Sequence, residues 1–402
     1  MNNLTAVRNL VQAASQDTGN LNGTDSSHER CLAIKASDRP RSLMFFAWLF
    51  FLVLAFGAQS ASAQTTWSMG YYWPPGVNPP LSAIQWSALT HVVMVGGNPN
   101  SDGSVTLSSG FSTYAPAMIS AAHANGVKVL YVLTQVTSTG WAGAASSGNL
   151  STFIANIMST VNTYGFDGVD IDWEESFDET EETNLASGLR TALGTKLLTF
   201  AAANGVIGGS SGWLPILPYM DRLNLVTVDE NGTWESETWF NSPLYTPTGT
   251  SLQGIDSEVR LARSYGYPMA KVGIELPFYG YLQSPSNGPY QAFGSSPSAT
   301  QMWYDQIRTT YGFTGYTFDT TAHSAWRALN GTSWIQWDNA QSITDKVNYA
   351  KANGLGGWTI WLLGEDYNAG QSPTMPLLDA VSKAFHSSSR PLPPTNLIIS
   401  VN

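Results

Sequence analysis

Cysteine is almost missing from this chain of 402 residues; the single one, Cys31, stands near the N-terminus. One thiol can build neither a disulfide framework nor a thiolate metal site. Charge is scarce too. Asp, Glu, Lys and Arg together make up 12%, about half the usual soluble share of roughly 25%. The balance is acidic, at −11, which suits neither nucleic acid nor an anionic membrane surface. His91, His123, His323 and His386 are scattered without ligand spacing, so no metal is expected. No Gly-x-Ser-x-Gly elbow announces a serine nucleophile. "GVIGGSSG" (205–212) is glycine-rich but lacks the lysine of a phosphate loop, and reads as a flexible loop. No cofactor is expected.

Aromatic residues are abundant, with 15 Trp and 17 Tyr. A surplus of aromatics with few charges suits contact with flat, uncharged rings such as sugars. For most individual tryptophans, packing in the core is the expectation. Near the N-terminus, Arg39 and Arg41 precede the apolar run "SLMFFAWLFFLVLAFGA" (42–58), and Ala61-Ser62-Ala63 forms a small-residue cleavage site. That pattern reads as a leader and signal peptide over 1–63, and the protein is expected to be secreted, extracellular or periplasmic. An uncleaved anchor is the alternative, although the run is short for a span of ~20 residues.

From residue 64 to 386, strand-like runs alternate with helix-like ones. Strands are expected at 67–72, 90–95, 127–134, 166–173, 196–203, 223–229, 271–278 and 356–363. Amphipathic runs between them, such as "LSTFIANIMSTVNTYG" and "SITDKVNYAKANG", end on glycine, as helix C-termini do. Eight such units in about 300 residues, with near-continuous apolar strands, predict an α/β fold of the (β/α)8 TIM-barrel type. A doubly wound open sheet is the alternative, weakened because no glycine-rich dinucleotide turn follows the first strand. Roughly 75 residues separate the seventh strand from the eighth, too many for a structureless loop. Alternation in "SWIQW" and "YTFD" predicts a small insertion with antiparallel strands at about 285–339, α+β in character, between strand 7 and helix 7. The segment 387–402 reads as a Pro/Ser-rich linker and the start of a possible truncated module. A monomer is expected.

One stretch carries the chemistry. "FDGVDIDWEE" (166–175) crowds five carboxylates into a strand. Side chains alternate along a strand. Val169, Ile171 and Trp173 share one face; Gly168, Asp170, Asp172 and Glu174 share the other. In a barrel the apolar set faces the helices, so the acids face the axis, with Glu174 at the C-terminal mouth. Like charges a few ångströms apart push at least one pKa up and titrate as a group. A proton retained at the mouth is what a general acid needs. A solvated acidic strand end would not carry Val, Ile and Trp at alternate positions, and a Ca²⁺ site needs more oxygen ligands. Asp167 has the opposite parity and is expected to give structural support to the turn.

"DGVDIDWE" (167–174) resembles the DxxDxDxE signature of glycoside hydrolase family 18, the chitinase family. "MGYYW" (69–73), "DENGTWESETWFNSPLY" (229–245), "ELPFYGY" (275–281) and "GLGGWTIWLLGED" (354–366) resemble further pieces of that family in order, so the likeness covers roughly 67–385. It implies a retaining mechanism without an enzyme nucleophile. Glu174 would protonate the glycosidic oxygen. Asp172 would orient the substrate's 2-acetamido group, which itself attacks the anomeric carbon, and Asp170 would share a proton with Asp172. Asp229 would contact the acetamido group, and Trp361 would floor the sugar pocket. Tyr72, Trp141 and Trp234 are the further substrate-binding candidates. The family pattern often has a tyrosine where Val228 stands, and Tyr267 or Tyr279 could supply the missing hydroxyl. The expected activity is a secreted glycosidase, chitinase-like and endo-acting, on a polysaccharide or oligosaccharide containing N-acetylglucosamine. The rivals are an endo-β-N-acetylglucosaminidase acting on N-glycans or cell-wall glycan, and a sugar-binding lectin on the same fold, against which the presence of Glu174 argues.

Overall fold

In the computed structural model the described residues are 66–73, 79–134, 138–173, 178–202 and 213–388. Glu174, the leader and signal over 1–63, the glycine-rich 205–212 and most of the tail lie outside them.

Eight strands run parallel and close on themselves. They are β1 (Trp67–Tyr72), β2 (His91–Pro99), β4 (Lys128–Thr134), β5 (Gly168–Asp172), β6 (Leu197–Ala202), β7 (Arg222–Leu225), β8 (Val272–Pro277) and β14 (Gly357–Trp361). Hydrogen bonding passes from β1 through β14, β8, β7, β6, β5 and β4 to β2, and β2 pairs back onto β1 with Met69 beside His91. Closure leaves the barrel no exposed edge. Each of the eight expected strands is present. Runs such as "HVVMV" and "KVLYVL" form strands because β-branched and aromatic side chains fit a pleated surface buried on both faces. A short strand β3 (Val105–Leu107) extends β2 as an antiparallel hairpin.

Helices α1 (Phe111–Ala124), α2 (Ser138–Ala145), α3 (Leu150–Tyr164), α4 (Glu179–Leu193), α5 (Ile255–Ser264), α7 (Ala340–Ala352) and α8 (Pro376–His386) belong to the outer layer. Helix α3 is amphipathic, burying Phe153, Ile157 and Val161 at helical spacing. Gly165 ends it at φ 80°, and Gly354 follows α7 at φ 67°; both are left-handed positions that a side chain disfavours.

Between β8 and α7 the chain builds a second, antiparallel sheet. Its strands are β9 (Tyr279–Ser284), β10 (Ser298–Trp303), β11 (Thr317–Asp319), β12 (Ser324–Ala328) and β13 (Trp334–Trp337), in the order β10-β9-β13-β12-β11. Helix α6 (Tyr304–Tyr311) crosses between β10 and β11. Only Phe278 separates β8 from β9, so residues leaving the barrel's seventh parallel strand pass directly into this sheet.

The barrel interior is divided. On one side Trp67, Met69, Tyr71, Val93, Val95, Leu130 and Val132 pack together as an inner apolar cluster contributed by β1, β2 and β4. On the other side the inward positions are polar: Asp170 and Asp172 on β5, Thr199 on β6, Asn224 on β7, Glu275 on β8 and Thr359 on β14, all buried. Residues of opposite parity, among them Val169, Ile171, Phe200, Leu223, Ile274 and Ile360, join the core beneath the helices. Half of the barrel is therefore mainly packing and the other half mainly polar, with the Tyr71 hydroxyl at the boundary between them.

Candidate active site

Asp170 is fully buried at the centre of β5. The Tyr71 hydroxyl donates to its Oδ2 at 2.8 Å, and the Thr199 hydroxyl donates to its Oδ1. Strand geometry brings the three together: Asp170 and Thr199 are register partners, and Tyr71 is the last inward residue of β1, one position before its end. Burial pushes the Asp170 carboxyl up to about 6, and the two hydroxyls pull in the opposite direction. The Tyr71 phenol is pushed well above its usual value, first by burial, then by the negative field of Asp170, Asp172 and Glu275. It stays a donor. Asp172, two residues on and 6% exposed, takes the same face at the C-terminal end of the strand.

Across the cavity, Asp229 follows β7. Its backbone holds φ 56°, a left-handed value that a non-glycine residue rarely adopts and that surrounding contacts must enforce. The Asn241 side chain accepts from its N–H at 2.7 Å. Two phenols converge on one oxygen: Tyr279 and Tyr281 donate to Asp229 Oδ1 at 2.8 and 2.7 Å. Asp229 is open to solvent at the mouth, yet neighbouring atoms crowd its carboxyl. That crowding raises its pKa, and the two phenols lower it. Glu365, in the turn after β14, is buried at 3% and pushed up to about 8, chiefly by burial, with Asp366 and Asp229 adding to the rise. Trp361 closes one wall, its ring 5.2 Å from Tyr71. Val228 packs with Tyr279, Tyr281 and Trp361.

The cavity thus brings together Asp170, Asp172, Asp229 and Trp361 among the residues expected from sequence. Glu174 follows Trp173 directly but lies outside the described residues. Asp167 is placed at the opposite end of the strand region, accepting from the Val129 N–H at 2.7 Å and pairing with His123 at 2.8 Å. Trp234 is half exposed in the loop after Asp229.

Two expectations are corrected. Tyr72 does not face the pocket; it lies in the outer core, and Tyr71 takes the inward place. Sequence parity misled because the outward face of β1 carries Ser68 and Gly70. These small residues are demanded by close packing: the Trp358 indole N–H donates to Ser68 Oγ at 2.8 Å, and a side chain on Gly70 would collide with Leu363. Trp141 is not a sugar platform. It lies in helix α2, 1% exposed, with its ring stacked on Trp173 at 5.2 Å and 8°. Tyr267 is also remote from the acids, its hydroxyl accepting from the Trp213 N–H.

Sequence reasoning missed Tyr71, Thr199, Tyr281 and Glu275. Glu275 had a usable signal. In "KVGIELPF", Val272, Ile274 and Leu276 form the outward face, which leaves Glu275 on the inward one.

Residues 67–366 match the family model described as glycosyl hydrolases family 18. A class V chitinase of Arabidopsis thaliana is 30% identical over 357 residues, covering 80% of this chain and 91% of that protein. Among solved structures, a class V chitinase variant from Nicotiana tobaccum in complex with NAG4 superposes with TM-score 0.68 at 23% identity, covering 81% of this chain and 100% of that one. A chitinase-like agglutinin from Robinia pseudoacacia superposes equally well, at 0.68 and 24% identity over 79% of this chain and 99% of that one. The chain belongs to glycosyl hydrolase family 18. Within it, this is a glycosidase of the chitinase-like type.

Proposed function

We propose that this protein is an exported hydrolase that cleaves β-1,4 linkages in chitin or related N-acetylglucosamine glycans by a retaining, substrate-assisted route. The observation that carries the reading is the facing arrangement of Asp170 and Asp172 with Asp229, the latter held by two phenols, inside one half of the barrel. In the reaction, Glu174 donates its proton to the glycosidic oxygen as the bond to the anomeric carbon breaks. The substrate's acetamido oxygen attacks that carbon and forms a cyclic oxazolinium ion. The Asp172 carboxylate orients the acetamido N–H and offsets the developing positive charge. Asp170 shares one proton with Asp172, which the hydroxyls of Tyr71 and Thr199 allow without fixing a charge. Water then opens the ring at the anomeric carbon and gives a proton to the Glu174 carboxylate, which restores the enzyme.

The test is a digest of soluble chitin oligosaccharides beside N-glycan and peptidoglycan, with wild type and Glu174→Gln. Cleavage of the chitin oligomers by wild type and its loss in the variant are expected. Cleavage confined to N-glycan or peptidoglycan moves the substrate to those glycans. The likeness to an agglutinin supports a second reading, a lectin on the same fold. Tight binding of chitin oligomers without cleavage of any substrate establishes that reading instead. Oligomers with a deacetylated sugar at the cleaved position should resist hydrolysis; efficient cleavage there rules out substrate assistance.

A further inference from the structure

The reaction just proposed gives no role to two described carboxyls, Glu365 in the turn after β14 and Glu275 inside the barrel, and Glu275 is the one that Asp170, Asp172 and Asp229 all act on. Glu275 lies on β8 and is 6% exposed. Val272, Ile274 and Leu276 belong to the outer core, so the Glu275 side chain points to the barrel axis. Its backbone is fixed by one side chain: the Glu275 N–H donates to Thr227 Oγ1 at 3.0 Å, and its carbonyl accepts from the same hydroxyl at 3.1 Å. Its surroundings carry three carboxyls and otherwise only neutral hydroxyls. Asp170 and Asp172 face it from β5, Asp229 from the segment after β7, Tyr71 from β1 and Tyr279 from β9. Thr359, its register partner on β14, carries a buried hydroxyl that has no hydrogen-bond partner among the described residues.

The donors in this cavity are unequally shared. Asp170 takes Tyr71 and Thr199; Asp229 takes Tyr279 and Tyr281. Among the described residues, no donor bonds to the Glu275 carboxyl and no cation is paired with it. A negative charge on Glu275 would face three other carboxyls without a compensating group. Its neutral form, by contrast, carries no charge and adds one more hydroxyl donor to those of Tyr71, Thr199, Tyr279 and Tyr281.

We propose that Glu275 is a positioning residue that remains protonated in the resting enzyme, its O–H drawing the negative charge of the cavity onto Asp172 and Asp229, where the acetamido group is held. Burial and the fields of Asp172, Asp229 and Asp170 agree in direction, raising this carboxyl well above the ordinary range. A neutral buried acid acting as a hydrogen-bond donor is an established arrangement in other enzymes. The assignment rests on the glycosidase reading for its kinetic consequence, but not for its protonation state.

The experiment uses two variants of the full chain and two measurements. Glu275→Gln keeps a neutral donor of similar shape; Glu275→Leu keeps the volume without one. On chitin oligosaccharides, Glu275→Leu should lower kcat about 10- to 100-fold with little change in KM. Glu275→Gln should restore most of that loss, to within about threefold of wild type, and should extend activity to higher pH, because it cannot ionise. Independently of turnover, infrared difference spectra at neutral pH should show a protonated-carboxyl band in wild type that is absent from Glu275→Gln. Equal bands in the two proteins refute the proposal while leaving the glycosidase reading intact. So does a Gln variant as impaired as the Leu variant, or kinetics unchanged in both. A Glu275 band in a wild type that hydrolyses no glycan refutes the glycosidase reading and keeps the protonation assignment. If Glu275→Leu does not fold, the infrared comparison and the pH profile of Glu275→Gln decide the matter.

Discussion

Replacing Tyr71 by Phe should destabilise the protein in a manner that depends on pH. In wild type the Asp170 carboxyl is raised from 3.8 to about 6. A carboxyl raised on folding contributes stability that is fully present below its unfolded pKa and is lost as pH rises through the folded one. Here the window runs from about 4 to about 6, and the cost of ionising Asp170 is of the order of 3 kcal/mol. The Tyr71 hydroxyl, at 2.8 Å, limits that cost. A hydrogen bond to a neutral acid is worth about 1 kcal/mol and one to a carboxylate about 1.5–3. Tyr71→Phe should therefore cost about 1 kcal/mol at pH 4 and about 2–3 kcal/mol at pH 8. The difference corresponds to a further rise of about one unit for Asp170. Under the proposed mechanism the same displacement is expected on the acid limb of kcat/KM, since Asp170 and Asp172 would together give up a proton to present a carboxylate to the sugar. Denaturant unfolding of wild type and Tyr71→Phe across pH 4–8 measures the effect, with both proteins repeated in an Asp170→Asn background. A loss that does not vary with pH, or a pH dependence that survives Asp170→Asn, refutes the assignment of Tyr71 as the partner of the titrating acid.

Two further outcomes follow from the same reasoning. Lys346 on α7 and Asp338, next to the end of β13, form a fully buried ion pair; Asp338→Ala should cost about 3–5 kcal/mol, while replacing both by apolar residues of similar volume should recover most of it, as read by denaturant midpoints. Trp141→Ala should cost about 3–5 kcal/mol of stability as a core deletion, whereas the half-exposed Trp234→Ala should stay within about 0.5 kcal/mol of wild type and weaken chitin-oligomer binding about two- to tenfold by calorimetry; the reverse pattern would return Trp141 to the substrate path.

What was legible in the sequence follows a physical division. Strands buried on both faces announce themselves by continuous apolar runs, so all eight parallel strands could be read. The acid column was legible because Val169, Ile171 and Trp173 supply an unambiguous outward face. On β1 the same logic failed, since both tyrosines are compatible with burial and the smallness of Ser68 and Gly70 is set by neighbours distant in the chain. Trp141 was misread for a related reason: whether a tryptophan beyond a strand end stacks on a sugar or on Trp173 depends on a helix that its short, weakly amphipathic segment did not disclose. Tyr281 and Thr199 act through partners 52 and 29 residues away, a relation that only the closed barrel creates.

The choice of partners for the acids bears on how the site works. Asp170 and Asp229 are held by hydroxyls of Tyr71, Thr199, Tyr279 and Tyr281. The arginine that points inward, Arg222, lies instead at the N-terminal start of β7, over the Trp67 ring and beside His91. A guanidinium against Asp170 would fix its charge and pull its pKa far below the working range. Hydroxyls stabilise the carboxylate more weakly and bond to the neutral acid as well, so the proton can reside on either of two neighbouring carboxyls at small cost. The mechanism proposed above, in which a leaving oxygen is protonated and a cationic intermediate follows, would draw on such mobility. The cavity must keep its few carboxyls titratable, and nearby fixed cations would prevent that.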